Sequence, residues 1–272
     1  MLKLYRDGVA LAYEEAGNGA PPILFVHGFG GDHTHFAPQF EYFRRNHRVV
    51  AVDRRGHGQS DKPEQAYTIA GFADDLAWLC RELGLYKPVV VVHSMGAIGL
   101  ELAARFPELP GALVILDAPF LPPPEVQANF QQMLGGLRSP AYGEVLRQVA
   151  DTILFLPTDD PERKARLVEA LCAVPQHVLV STWENFLAHD TAAAAAACQV
   201  PLLYLGSVFP ANLARFRELC PQLVVGQTVG AGHFHQLEVP EQVNAMIERF
   251  LAIALKPQAT PAVAEPELPI QV

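Results

Sequence analysis

The stretch VVVVHSMGAIGLELAARFP (residues 89–107) joins an apolar, β-branched run to an amphipathic helical pattern. The run predicts a strand buried on both faces at 89–92, and the apolar spacing that follows predicts a helix at 98–106. Between them, Ser94 lies in a near match to GxSxG, the sharp strand-to-helix turn that presents a serine hydroxyl. Val92 stands at the first glycine position, so the rest of the chain has to decide the role of Ser94.

Short apolar runs that end in small or polar residues recur along the chain. They predict two strands within residues 2–16 and further strands at 23–26, 49–52, 113–116 and 202–205, with helical patterns between them at 69–83 and 240–255. Parallel strands that alternate with helices predict an α/β fold with helices on both faces of the sheet. Ligands bind beyond the carboxyl ends of such strands, which is where Gly28, Ser94 and Asp117 fall.

The alternation breaks between the strands predicted at 113–116 and 202–205. The segment opens near PFLPPPE and continues in mainly helical patterns, which is too long for a loop. We predict a helical cap over residues 120–197, inserted into a core of residues 1–119 and 198–256. Residues 257–272 carry repeated prolines and are predicted to be an appendage to the fold.

The composition disfavours several classes of protein. The chain has 20 Lys and Arg against 29 Asp and Glu, for a formal net charge of −9, and its basic residues are scattered, so no nucleic-acid partner is expected. Its four cysteines are far apart and form no CxxC pair, which favours buried free thiols. Charged residues interrupt the apolar runs of the first 17 residues, so we expect no signal peptide, no membrane span and a cytoplasmic location.

Four loops follow one another in an informative order. They are HGFG (27–30), DRRGHGQSD (53–61), HSMGA (93–97) and GAGHFHQLEVP (230–240). Together they resemble the α/β-hydrolase fold family over residues 1 to about 255. The resemblance implies a mostly parallel sheet flanked by helices, a triad of serine, acid and histidine, an oxyanion hole shared by two loops, and a variable cap. It implies no cofactor.

The resemblance carries three roles onto positions of this chain. Ser94 is the implied nucleophile, and His233, in GAGHF after a short strand near Val224, is the implied base that takes its proton. The oxyanion-hole N–H groups are assigned to the backbone of Phe29 and Met95.

The acid departs from the commonest pattern of the family, which has an aspartate a few residues beyond the strand LLYLG (202–206). The loop here reads SVFPAN, and no carboxylate follows until Glu218. Part of the family, including zearalenone-lactonase-like enzymes and cofactor-free ring-cleaving dioxygenases, has its acid at the end of the strand beside the nucleophile strand. Asp117 occupies that position and is the predicted acid. Its alternative role, capping the loop at the cap junction, stays open.

Aromatic and histidine side chains near these loops predict a substrate pocket lined by His33, His35, Phe120, Phe130, Trp183 and Phe234. Charged residues are sparse in the cap, so the expected substrate is a largely apolar small molecule. The HxH pair of His33 and His35 lacks the further ligands that a metal site needs, and no metal is predicted. Arg54 and Arg55 are equally consistent with surface charges and with contacts to an anionic substrate.

Three functions follow from this sequence. The first is a serine hydrolase that cleaves a carboxylic ester or lactone through an acyl-enzyme. The second is a cofactor-free dioxygenase on the same fold, in which His233 and Asp117 deprotonate an aromatic hydroxyl. The third is a ligand receptor without catalysis. The sequence leaves open whether the chain forms a homodimer.

Overall fold

Strands and helices alternate along residues 1–209 and 211–255, the part of the chain described by this computed structural model. The strands are β1 (Leu2–Arg6), β2 (Val9–Ala16), β3 (Ile23–Val26), β4 (Val49–Val52), β5 (Val89–His93), β6 (Ala112–Leu116), β7 (Leu202–Gly206) and β8 (Leu223–Gln227). The helices are α1 (Ala37–Phe43), α2 (Ile69–Glu82), α3 (Gly96–Arg105), α4 (Pro124–Leu137), α5 (Tyr142–Val149), α6 (Pro161–Ala173), α7 (Gln176–Ala188), α8 (Thr191–Ala197), α9 (Leu213–Leu219), α10 (His235–Glu238) and α11 (Pro240–Ala254). A 3-10 helix, His33–Phe36, precedes α1.

The strands form one sheet in the order β1-β2-β4-β3-β5-β6-β7-β8. The pairs β1–β2 and β2–β4 are antiparallel, and all other neighbours are parallel. Strand β5 lies between β3 and β6, with Val92 in register with Val26 and Ile115. The mostly parallel α/β sheet predicted from the sequence is therefore confirmed.

Alternate residues of each strand face opposite sides of the sheet. In β5, Val90 and Val92 belong to the core beneath α2 and α3, whereas Val89 and Val91 belong to the core beneath α1 and α11. Helices thus cover both faces, which explains why the central strands are apolar at every position rather than at every second one.

Between β6 and β7 the chain forms α4 to α8 before it returns to the sheet. These helices lie within residues 120–197, the segment predicted to be a cap, and we call this segment the helical insert. The predicted tail, residues 257–272, lies outside the described residues. No helix in the described part of the chain is both long and apolar enough to cross a bilayer. The four cysteines are free thiols; Cys172 is half-buried and the others are buried.

Helix α3 approaches the sheet closely at two glycines. A Cβ on Gly96 would lie 2.8 Å from Ile115 Cγ2 and 2.9 Å from Ala118 Cβ. A Cβ on Gly99 would lie 3.0 Å from Val92 Cγ2. In a GxSxG turn, the glycine before the serine usually allows the helix to pack close to the strand. Here Gly96 and Gly99 on α3 allow this close packing instead, and Val92 is fully buried.

We expect Gly96→Ala to lower the free energy of unfolding by about 1–3 kcal/mol, because the added methyl group overlaps Ile115 and Ala118 in a filled core. Gly135→Ala is the matched control, since Gly135 also lies in a helix, α4, but nothing lies within 4 Å of its added Cβ. That change should be neutral or stabilising by up to about 1 kcal/mol. Urea unfolding followed by circular dichroism measures both variants, and equal stabilities would contradict the close approach of α3.

Candidate active site

Ser94 occupies the turn between β5 and α3 with a backbone φ of +62°. Residues other than glycine rarely adopt this backbone conformation, so contacts with the surrounding structure have to stabilise it. The Ser94 N–H donates to the carbonyl of Leu116 at 2.8 Å. On the other side, a Cβ added to Gly28 would lie 2.7 Å from Ser94 Cβ. The turn thus has the strained backbone of a nucleophile elbow although Val92 replaces the usual glycine.

Asp117 lies in contact with His233 at the carboxyl edge of the sheet. Asp117 Oδ2 is 2.9 Å from His233 Nδ1, and both side chains are buried. Asp117 Oδ1 accepts the backbone N–H groups of Ser207 at 2.6 Å, Val208 at 3.1 Å and Phe209 at 3.3 Å. These donors belong to the loop after β7, where the commonest family pattern has its acid. The loop without a carboxylate therefore binds the carboxylate of the neighbouring strand.

The loop that carries His233 is held by hydrogen bonds on several sides. Ser207 Oγ donates to the carbonyl of Gly232 at 2.6 Å, and Glu238 Oε2 accepts the Gly232 N–H at 2.9 Å. His93 Nε2 lies 2.8 Å from the carbonyl of His233. Burial, and then the charge of His233, lower the pKa of His93 well below its ordinary value, so His93 donates as a neutral ring. These contacts restrict the orientation of the His233 backbone.

Ser94 and His233 line the same cavity. Within residues 1–209 and 211–255, no hydrogen bond joins Ser94 Oγ to His233 Nε2. Hydrogen bonds between a nucleophile and its base often form only when substrate is bound. The structure therefore brings the predicted base into contact with the predicted acid, and it places the predicted nucleophile in the same cavity as the base without a direct hydrogen bond.

The two predicted oxyanion-hole groups differ in their hydrogen bonding. The Phe29 N–H has no acceptor among the described residues, whereas the Met95 N–H donates to the carbonyl of His93 at 2.6 Å. Met95 immediately precedes α3, so the positive end of that helix lies at the cavity wall. The Phe29 N–H is thus the free donor, and the Met95 N–H would have to be shared.

Arg54 and Arg55 occupy different environments. Arg54 is buried, does not line the cavity, and donates from Nη2 to the carbonyl of Gly28 at 2.6 Å. Both predicted roles for Arg54, a surface charge or a contact with an anionic substrate, are therefore wrong. Arg55 forms a salt bridge with Asp75 at 2.7 Å and does not line the cavity either.

A cavity of about 100 Å³ lies beside Ser94 and His233. The helical insert supplies much of its apolar wall, including Phe130, Met133, Leu146, Leu171, Trp183 and Phe186. The polar side chains of the lining are those of Ser94, His35, His93, His233 and Asn129, and no Asp, Glu, Lys or Arg of the described chain belongs to the lining. The cavity therefore suits an uncharged and largely apolar molecule.

Four of the six predicted pocket residues line the cavity, namely His35, Phe130, Trp183 and Phe234. His33 and Phe120 do not. His33 Nδ1 lies 2.8 Å from Asp53 Oδ1, which directs the ring towards the loop after β4. Phe120 stacks on Phe216 of α9 with ring centroids 3.7 Å apart, and its neighbour Pro119 lines the cavity instead.

Several lining residues were not predicted. Phe209 lies in the loop after β7, and its ring centroid is 4.6 Å from that of His233. Leu167 and Leu171 lie one helical turn apart on α6, and this spacing is the signal that could have identified them. No signal in the sequence shows that the ring of Phe209 turns towards His233.

Asp32, His33 and Asp53 form a group of possible metal ligands whose atoms lie within 4.8 Å of one another. Their oxygens already bind the protein. Asp53 Oδ1 accepts the His33 N–H at 2.7 Å and Oδ2 accepts the Gln59 N–H at 2.7 Å, while Asp32 Oδ1 accepts the Thr34 N–H at 2.8 Å. This group therefore anchors the loops after β3 and β4.

Comparison with known proteins adds sequence relatives and structural neighbours. The chain is 38% identical over 121 residues to 2-(acetamidomethylene)succinate hydrolase of Mesorhizobium japonicum, a match that covers 44% of this chain and 42% of that protein. The match thus spans less than half the length of this relative. A thermophilic esterase from Thermogutta terrifontis, solved with malate bound, is 26% identical, with a TM-score of 0.81 and coverage of 94% of this chain and 99% of that one.

Est816, described as an N-acyl homoserine lactone degrading enzyme, is 25% identical with a TM-score of 0.78, over 92% of this chain and 100% of that one. A family model described as alpha/beta hydrolase fold matches residues 21–240, which is most of the chain. The sequence match and the strand order lead to the same assignment: this chain belongs to the alpha/beta hydrolase fold family.

Proposed function

We propose that this chain is a serine hydrolase that cleaves a carboxylic ester or lactone through an acyl-enzyme. The observation that carries the proposal is the 2.9 Å contact between Asp117 and His233 at a cavity that also contains Ser94 on a strained turn. A buried carboxylate on Nδ1 fixes the histidine tautomer that leaves Nε2 free to accept a proton.

The reaction then proceeds in two halves. His233 Nε2 takes the proton of Ser94 Oγ as this oxygen attacks the substrate carbonyl carbon, and the Phe29 N–H stabilises the negative oxygen that develops. His233 returns the proton to the leaving alkoxide, which departs as an alcohol. Water, deprotonated by His233, attacks the acyl-enzyme, releases the carboxylic acid and restores Ser94. For a lactone, the acid and the alcohol belong to one product.

The lining of the cavity defines the substrate further. Apolar walls suit an aliphatic or aromatic acyl or alkyl group without charge. His35 lies in the wall and is buried, and neither of its ring nitrogens has a hydrogen-bond partner within residues 1–209 and 211–255. Burial lowers the pKa of His35 to about 4, so the ring is neutral at pH 7. It offers one donor and one acceptor to a polar group of the substrate.

The relatives support a hydrolase by their names alone. An esterase, a lactone-degrading enzyme and the hydrolase of an acetamidomethylene-succinate are similar to this chain. The succinate of the last name is a dicarboxylate, whereas the cavity of this chain is lined by no cationic side chain of Lys or Arg. An uncharged ester or lactone therefore fits this chain better than that substrate does.

One observation favours a second candidate, the cofactor-free dioxygenase. In the described part of the chain, Ser94 Oγ makes no hydrogen bond with His233 Nε2, so the Asp117–His233 pair could act as a base without an acyl-enzyme. That enzyme would consume dioxygen together with an aromatic hydroxyl compound. The two functions differ in whether Ser94 is needed and in whether dioxygen is used.

Replacing Ser94 with alanine is expected to lower kcat/KM for aryl esters and lactones by at least about 10⁴-fold, because no other hydroxyl or thiol side chain of the described residues lines the cavity. Product release is measured spectrophotometrically beside an oxygen electrode. Dioxygen uptake that Ser94→Ala retains would support the dioxygenase. Ligand binding by the wild type without turnover of any ester, lactone or hydroxyl compound would contradict both enzymes.

Asp117→Asn should lower kcat by about 10³–10⁴-fold, since an amide on His233 Nδ1 selects the wrong tautomer of the base. Glu218→Gln is the matched control. Glu218 is the first carboxylate after β7, but it is exposed and pairs with Arg215 at 2.7 Å, so its loss should leave kcat within about twofold. Steady-state kinetics on one ester measures both, and a larger loss in Glu218→Gln than in Asp117→Asn would reverse the assignment.

An ester whose acyl chain ends in a carboxylate should be hydrolysed about 100-fold less efficiently than its methyl-ended counterpart of equal length. The physical reason is that a charge buried among apolar groups without a partner is strongly unfavourable. Competition between the two esters in one reaction gives the ratio of kcat/KM directly. A ratio near one would show that the acyl chain does not enter the apolar cavity.

A further inference from the structure

Arg54 is a buried cation without a partner anion. The residue is 2% exposed, its Nε and Nη1 atoms have no hydrogen-bond acceptor, and no salt bridge of the described residues includes it. Its guanidinium lies over the ring of Phe72 at 4.6 Å from the centroid. Burial lowers the pKa of Arg54 to about 9, so the group keeps its charge at neutral pH. A buried, unpaired charge is unfavourable unless other interactions compensate it.

Among the described residues, the side chain of Arg54 makes one hydrogen bond, to the loop after β3, residues 27–30, which carries the Phe29 N–H and which we call the oxyanion loop. Gly28 O accepts Arg54 Nη2 at 2.6 Å and His27 Nδ1 at 2.9 Å. His27 Nε2 in turn accepts the Arg54 N–H at 3.0 Å, which fixes the tautomer with the proton on Nδ1. Burial, followed by the charge of Arg54, lowers the pKa of His27 well below its ordinary value, so this ring is neutral. Arg54 and His27 thus both donate a hydrogen bond to the carbonyl of Gly28.

The carbonyl of Gly28 and the N–H of Phe29 belong to the same peptide group. In a trans peptide these two bonds point in opposite directions, so donors that hold the carbonyl also direct the N–H away from them. Gly28 itself lies against Ser94, since a Cβ added to Gly28 would lie 2.7 Å from Ser94 Cβ. Donors on the carbonyl also polarise the peptide and strengthen its N–H as a donor.

We propose that Arg54 is a positioning residue of the oxyanion hole. It orients the Gly28–Phe29 peptide so that the Phe29 N–H meets the developing oxyanion. The Gly28–Phe29 peptide group separates the positive charge of Arg54 from the position of the oxyanion. This charge gains an anionic partner only when the tetrahedral intermediate forms. Arg54 does not line the cavity, so it contacts no substrate atom. This inference rests on the proposed hydrolase function.

The test compares Arg54→Met and Arg54→Lys with the wild type, and Arg55→Met serves as the matched control. Arg55 is the adjacent arginine, but it binds Asp75 at 2.7 Å and makes no contact with Gly28. Three quantities are measured at neutral pH: kcat, KM for a neutral ester, and the inhibition constant of an alkyl boronic acid, whose adduct with a serine is tetrahedral and anionic. Circular dichroism gives the folded fraction of each variant.

Arg54→Met is expected to lower kcat about 100-fold, to weaken boronic acid inhibition by a similar factor, and to change KM less than about threefold, as for a lost oxyanion donor. Arg54→Lys should recover at least about tenfold of that loss, because an ammonium group can still donate to Gly28 O with its charge. The Arg55→Met control should stay within about threefold of the wild type in all three quantities, since that salt bridge is remote from the oxyanion loop. In Arg54→Met, kcat should fall by the same factor for esters with a carboxylate and for esters without one.

A kcat within about threefold of the wild type in folded Arg54→Met would overturn the inference, since a lost donor costs far more. Unchanged boronic acid inhibition would overturn it too, as would a loss confined to carboxylate-bearing esters. If Arg54→Met does not fold, the split between kcat and KM in Arg54→Lys decides instead. Wild-type protein without Ser94-dependent hydrolysis would overturn the proposed function and this inference together, whereas hydrolysis that is insensitive to Arg54 would overturn the inference alone.

Discussion

The arrangement of the candidate site depends on the contacts of the Asp117 carboxylate. Asp117 stands just beyond β6 with a backbone φ of +40°, and its two oxygens connect elements that are remote in sequence. One oxygen binds His233, and the other accepts three backbone N–H groups from the loop after β7. The same loop also carries Phe209, whose ring packs against His233 and forms part of the cavity wall.

His233, the predicted base, is held by the helical insert as well as by the loops of the sheet. The His233 N–H lies 3.4 Å from the carbonyl of Leu154, and Phe155 stacks on Phe234 with centroids 5.1 Å apart. The insert also supplies most of the apolar wall. The insert therefore contacts the His233 loop and also lines the cavity, so substitutions in this part of the insert should change both the shape of the cavity and the orientation of His233.

Much of the fold could be predicted because the central strands are apolar at every position. Residues 23–26 and 49–52 were predicted with the bounds that the structure shows, and residues 69–83 differ from α2 by one residue. Chain order predicted that Ser94 and Asp117 lie at one edge of the sheet, since parallel strands end together there. In the structure Asp117 contacts His233, and His233 lines the same cavity as Ser94.

The remaining features depend on tertiary packing. Arg54 and Arg55 are identical neighbours in DRRGHG, yet one is buried behind the oxyanion loop and the other binds Asp75 near the surface. Which of them turns inward is set by the conformation of the loop, where Gly56 and Gly58 both have positive φ. Similarly, Phe120 was assigned to the cavity in place of Pro119, because the sequence does not show that the chain between β6 and α4 turns the Phe120 ring onto Phe216 of α9.

The acyl-enzyme is the central claim, and it can be observed directly. The wild type is mixed with an uncharged aryl ester, quenched in acid within milliseconds, and analysed by intact-protein mass spectrometry followed by peptide mapping. We expect a transient mass increase equal to that of the acyl group, located on the peptide that contains Ser94 and decaying at the rate of turnover. Steady hydrolysis without any adduct on Ser94, or an adduct on another residue, would contradict the account.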